Sequence, residues 1–395
     1  MRETSQARSG EGLLAACLGL FVLAIPLGNV GAGILPGFLS PTKAAFYVLL
    51  VVFVGRFGFD AFRVTRTSDW WAVVLLAGGA LSILPSVLPR VSAVHWFRLA
   101  AMVGLFLIAR AALAGPRAAR SVGAALVLAG TAVAALGVFQ TLTSRTVAGL
   151  GLYPPYQSLV PVESLDDPER ALIFRAAGTF SHPNELGMFL VGCLPITLGM
   201  AWMCRRGWVR AVFLVSAGLQ VIAALYTFSR SAWMGVVVAV GVWTAFHRGS
   251  RRIAPAVCAA ALLLGVAVLP PGGRLALLAR GAGGRAYGVG RVEYFGAALR
   301  MTADSPLMGT GLGTFAERFG SYRPPGKAPD PEQSGDAHNA FLSVAAEAGI
   351  PAGAALVYGV LAALLGALRR TRQGRDNAPW TPAACSALAG MLPLM

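Results

Sequence analysis

Charge is scarce in this chain. Only 13% of its 395 residues are Asp, Glu, Lys or Arg, about half the fraction in soluble domains, which excludes an ordinary water-soluble fold. Acidic residues are scarcer still, 17 against 33 basic ones, for a formal net charge of +16. The basic excess sits in short arginine-rich links between apolar runs, as orientation signals do, so no nucleic acid is expected as a partner. Cysteine is also sparse: Cys17, Cys193, Cys204, Cys258 and Cys385 show no CxxC and no repeated His/Cys spacing. Neither a thiolate metal site nor a disulfide framework is expected, and these residues read as small core hydrophobes. No internal repeat is evident, whereas transporters are commonly built from repeats that meet at the membrane midplane. That argues against an anion (bicarbonate) transporter, the opposing class of function.

What is abundant is apolar sequence. Hydrophobic residues make up 56% of the chain and its mean hydropathy is +0.65, which implies an all-α, polytopic transmembrane helical bundle. About eleven apolar stretches approach the roughly 20 residues that cross a bilayer. Their centres lie near Leu20, Leu49, Gly79, Val103, Val127, Leu190, Gly218, Ala239, Leu264, Ala355 and Leu388. The first run follows Arg2 and Arg8 without a convincing small-residue cleavage site, so it reads as a retained helix. The sequence reaches Met395 within an apolar run, so a short or truncated C-terminus is expected. Two regions are distinguished: 1–142, the N-terminal helices, and 143–395, which includes a long outer loop over 271–337.

Arginine clusters give the orientation. Arg2 and Arg8, then Arg56, Arg63 and Arg66, then Arg110, Arg117 and Arg120, then Arg205, Arg206 and Arg210, then Arg248, Arg251 and Arg252, then Arg369, Arg370, Arg372 and Arg375 fall at alternate links. A cytoplasmic N-terminus satisfies all of them and leaves the links near 143–178 and 271–337 outside. The second of these is basic for another reason. From Arg291 it places Val292, Phe295, Leu299 and Met301 near one helical face before Pro306 and Gly309, which predicts a short amphipathic helix at the membrane surface. The GTGLG run at Gly309, Gly311 and Gly313 then reads as a flexible turn in preference to a phosphate cradle, because no strand precedes it.

Four segments carry candidate chemistry on the outer side. FRAAGTFSHPNELG holds Arg175 and His182; YTFSRSAWMG holds Arg230 in a tight turn between spans; GRVEYF holds Arg291. GDAHNAFLSVAAEAGIPAG opens a span with His338 and Asn339 and carries Glu347 about 13 Å deeper. Arginine is always ionised and meets phosphate oxygens with a planar fork, so Arg175 and Arg230 suit a diphosphate clamp, with Arg291 a weaker third. His338 suits a general base, kept neutral by a helix N-terminus and nearby arginines. The plainer alternatives are snorkelling arginines, a helix-capping His338, a structural His182 and a Glu347 packed against a buried partner. His95 and Arg98, in the outer part of the fourth span, are candidates to line an acceptor or lipid path. Asp166 and Asp167 are adjacent but have no spaced acidic partner, so neither metal nor cofactor is expected.

These segments, in this order, resemble the O-antigen ligase and polymerase family of bacterial envelope enzymes. GTFSHPNELG, SRSAW, the run from Arg291 to GTGLGTF, and HNAFLSVAAEAGIPAG each match a family segment, from about Arg175 to Gly353. The resemblance implies a GT-C-like bundle in the bacterial inner membrane, with its active site facing the periplasm. It further implies a polyprenyl diphosphate-linked glycan as donor, and lipid A core or another glycan as acceptor. A polymerase that extends the lipid-linked glycan is equally compatible with these segments.

Overall fold

The computed structural model describes residues 2–28, 40–58, 69–113, 115–143, 159–161, 172–247, 252–269, 274, 288–323 and 336–372. In order, the helices are α1 (Arg2–Ala24), α2 (Pro41–Phe57), α3 (Trp70–Leu81), α4 (Pro89–Ala112) and α5 (Pro116–Thr143), followed by a strand pair, β1 (Leu159–Pro161) and β2 (Leu172–Phe174). After it come α6 (Pro183–Met203), α7 (Gly207–Tyr226), α8 (Arg230–Phe246), α9 (Ile253–Val268), α10 (Gly288–Asp304), α11 (Phe315–Phe319), α12 (Ala340–Ala348) and α13 (Ile350–Arg372). The chain is a multi-pass helical membrane protein. Among the described residues, α4, α5, α6, α7 and most of α13 are long and apolar enough to cross a bilayer, and α3, α8 and α9 are shorter apolar helices. Each apolar centre from Leu20 to Ala355 falls within a separate helix, α1 to α9 and α13. The centre at Leu388 lies outside the described residues, as do Asp166 and Asp167. The strand pair is antiparallel, Leu159 opposite Phe174.

Proline writes several of the starts. Helices α2, α4, α5 and α6 all open on it, where its fixed φ suits the first turn and its missing N–H costs no bond.

Two compact units divide the chain. The first comprises 1–58, 109–282 and 367–394, with α7 packed against α5, α6, α8 and α9. Its core gathers Leu186, Leu190, Leu194, Val221, Tyr226, Phe228 and Trp243. A polar seam runs through that core: the Gln220 amide nitrogen donates to Thr197 Oγ1 at 3.0 Å, and Thr131 and Ser216 pair through their hydroxyls. Such side-chain bonds join helices where burial in lipid supplies little drive for association.

The second unit comprises 59–108 and 283–366, with Met395. Its core has Tyr294, Ala297, Ala298, Met301, Phe315 and Phe319 on one side and Ala72, Leu75, Val103, Leu312 and Ala352 on another. Helix α10 forms where the sequence predicts it, and of the predicted apolar face only Met301 is fully buried within the protein. Tyr294, Ala297, Ala298 and Met301 point inward, while Val292 and Leu299 are exposed. Ala297 and Ala298 allow close packing between Tyr294 and Met301.

Candidate functional site

In the first unit the candidate residues meet where β2, the start of α6 and the α7–α8 turn come together. Arg175 follows β2 directly and is buried. Its Nε donates to the Thr227 carbonyl at 2.8 Å and an Nη donates to Asn184 Oδ1 at 3.4 Å. The next residue is fixed too, with the Ala176 N–H donating to the Tyr226 carbonyl. From α5, Gln140 clamps the link: its amide nitrogen donates to the Gly178 carbonyl at 2.8 Å, and its oxygen accepts from the N–H groups of Ala177 and Gly178. A buried backbone stretch must satisfy its polar groups, and here one side chain satisfies three.

His182 is the cap of α6. Its Nδ1 accepts from the Asn184 N–H at 3.0 Å, while Glu185 Oε2 accepts from the N–H groups of Ser181 and His182. This reciprocal capping box explains the SHPNE sequence locally and commits Nδ1 to structure. Asn184, whose N–H donates to that cap, also holds Arg175 through its Oδ1.

The SRSAW segment builds a tight corner. Ser229 Oγ accepts from the Ala232 N–H and caps α8, and Trp233 Nε1 donates back to the Leu225 carbonyl at 3.2 Å. Phe228 between them takes φ of 50°, a left-handed conformation that bulky residues rarely adopt. Arg230 is the first residue of α8 and is exposed. A cation at a helix N-terminus adds to the positive end of the helix dipole, so this corner favours an anion. Arg175 binds Thr227, three residues before Arg230, which places both arginines at one corner of the unit.

In the second unit His338 precedes α12. It also has positive φ, 52°, and it is 40% exposed. Asp336 Oδ1 accepts the His338 N–H at 2.7 Å and lies 3.8 Å from Nδ1. The Tyr294 ring of α10 meets the imidazole edge-to-face, with centroids 5.2 Å apart. Asn339, not His338, is the cap, its Oδ1 accepting from the Leu342 N–H at 3.0 Å. Arg291 stands three residues before Tyr294, hence about one turn away along α10; its side chain lies outside the described residues.

Glu347 corrects two expectations. Gly349 breaks the chain between α12 and α13 with φ of 87°, and a Cβ there would lie 2.3 Å from the Leu307 carbonyl oxygen. Glu347 therefore sits in a short helix ahead of the span and not deep within it. Its partners are backbone amides of the glycine-rich run: Gly313 N–H donates to Oε2 and Phe315 N–H to Oε1, each at 2.9 Å. The GTGLG stretch is thus a fixed loop whose amides hold an internal carboxylate. Burial pushes Glu347 up to about 7, against the pull of those same amides.

On the other side of that loop lies His95 of α4. A Cβ at Gly313 would fall 1.4 Å from His95 Nδ1, so only glycine leaves room for the ring. Nδ1 itself is buried without a hydrogen bond among the described residues. Arg98, one turn further along α4, is exposed.

Gln140, Asn184, Tyr294 and Asp336 were not singled out from sequence as site-building residues. Only Asp336 carried a local signal, its place two residues before the histidine. Among curated proteins none matches the chain. Residues 211–357 match the model of a family described as O-antigen ligase, and over this stretch, which holds Arg230, His338 and Glu347, the chain is O-antigen ligase-like.

Proposed function

We propose that the chain is a glycosyltransferase that moves a glycan from a polyprenyl diphosphate carrier to a sugar hydroxyl, with lipid A core as the acceptor. The reaction takes place at the periplasmic face of the bacterial inner membrane, with the N-terminus in the cytoplasm. One observation carries this reading: within the family-matched stretch, Arg230 is exposed at the N-terminus of α8, where two positive sources coincide. A departing diphosphate supplies the negative charge that such a corner stabilises.

In this reading Arg230 meets the diphosphate, Arg175 braces the corner and contributes its guanidinium charge, and Arg291 adds a third cation. His338 takes the proton of the acceptor hydroxyl as that oxygen attacks the anomeric carbon. The bond from that carbon to the diphosphate oxygen breaks, the lipid diphosphate leaves, and the centre inverts. Neutralisation by arginine makes a divalent metal unnecessary, so transfer persists in chelator.

The test is transfer of glycan from purified lipid-linked donor to lipid A core by the protein in nanodiscs, followed by mass spectrometry and by NMR of the new linkage. Wild type forms the inverted linkage with EDTA present, and His338→Ala and Arg230→Ala each reduce the rate by roughly 10²-fold or more. Extension of the lipid-linked glycan without transfer to lipid A core makes the protein a polymerase. Retention at the anomeric centre rules out single displacement.

A further inference from the structure

Resting on that reading, we infer that Asp336 is a positioning residue for His338, fixing its backbone by a hydrogen bond and acting on its ring by charge. Oδ1 accepts the His338 N–H at 2.7 Å, and the same oxygen is 3.8 Å from Nδ1, near enough for its charge to act on the ring. The backbone bond helps to hold His338 in its left-handed conformation, φ 52°, which is uncommon for a residue with a Cβ. Around it, the Ala337 N–H donates to Ser343 Oγ at 3.1 Å and Asn339 caps α12, so the segment is anchored on both sides of the histidine. Tyr294 closes a third direction, its ring at 81° to the imidazole.

This arrangement chooses between the two ring nitrogens. Nδ1 is the ring nitrogen 3.8 Å from the carboxylate oxygen, outside hydrogen-bond reach in this geometry, and the negative charge there favours the proton of the neutral ring on Nδ1. Nε2 is then the unprotonated nitrogen and takes the acceptor proton. As it does so the ring becomes a cation beside the Asp336 carboxylate. The logic is that of a base oriented by a third group, read here from an Asp-x-His spacing and its geometry. Asp336 touches neither sugar nor diphosphate in this scheme, so its effect falls on the chemical step.

Asp336→Asn isolates the role, because asparagine keeps an oxygen for the His338 N–H but removes the charge facing Nδ1. The full chain carries four histidines, few enough for ¹⁵N-histidine NMR in nanodiscs at alkaline pH, with His338→Gln to assign the signal. Wild type is expected to show His338 protonated on Nδ1, and Asp336→Asn to shift it toward the other tautomer. The variant's kcat falls by about tenfold to a thousandfold with KM within about twofold, while its thermal unfolding matches wild type. An unchanged tautomer, an unchanged kcat, or a loss confined to KM overturns the assignment. The NMR arm needs no turnover. Absence of transfer by wild type therefore refutes the proposed reaction alone, whereas an unaltered His338 spectrum refutes the role of Asp336.

Discussion

Glu347 shows how much a single side chain organises. Its carboxylate ties α12 to the loop ahead of α11 through two amides, and burial holds its proton up to about 7. The ordinary carboxylate value lies lower, at 4.5, so between these pH values the folded chain holds a proton that the unfolded chain has released. Stability therefore falls as pH rises from about 4.5 to 7, by on the order of a few kcal/mol, and levels off above that. Thermal unfolding in detergent across pH 4.5 to 8.5 checks this. Glu347→Gln is expected to flatten the slope and to lower stability by roughly 1 to 3 kcal/mol, since an amide offers one acceptor to two donors.

Residue roles were legible when their partners were close in sequence. His182 reads as a structural residue and its partner Glu185 lies only three residues on, and Asn339, read as opening a span, caps a helix three residues away. Glu347 could be recognised as a buried acid awaiting a partner, but its partners come 32 and 34 residues earlier. Nothing local names them. The arginines were legible as a charge pattern, whereas the brace from Arg175 to Thr227 spans 52 residues and depends on how two helix ends meet.

At the scale of elements, the spans were the easiest to read, because a long apolar run has few structures open to it in lipid. Faces were harder. Helix α10 offers two apolar stripes: Val292, Phe295 and Leu299, which with Met301 the sequence marks as the face toward a membrane surface, and Tyr294, Ala297, Ala298 and Met301, which pack within the protein. In a membrane protein the interior is not more apolar than the exterior, so hydropathy alone does not say which stripe packs. The link between β2 and α6 gave no periodic signal at all, since Gln140 organises it from α5. Gln140→Ala leaves two N–H groups and a carbonyl of that link without their partner. Each unsatisfied group costs about 1 to 3 kcal/mol, and we expect a clear drop in the melting temperature in detergent. Glycan transfer should fall with it, because the same link carries Arg175.

At the scale of the whole molecule, the proposed orientation makes opposite demands on the two ends of α6. Ser181, exposed just before the helix, belongs outside, and Cys204, just after it, belongs inside with Arg205 and Arg206. In intact spheroplasts a membrane-impermeant maleimide should label Ser181→Cys and spare the native Cys204 until the membrane is opened. The reverse pattern inverts the topology and removes the periplasmic site.

The division into units leaves its mark on synthesis. Helix α3 and most of α4 belong with α10 to α13, yet all of 109–282 is made in between. These early helices leave the ribosome roughly 170 residues before their packing partners, a delay of about ten to thirty seconds at about 5–20 residues per second. Through that interval they must rest in the translocon, in lipid, or with an insertase. Nascent chains arrested before residue 283 should therefore present α3 and α4 as the portion most open to proteases and chaperones.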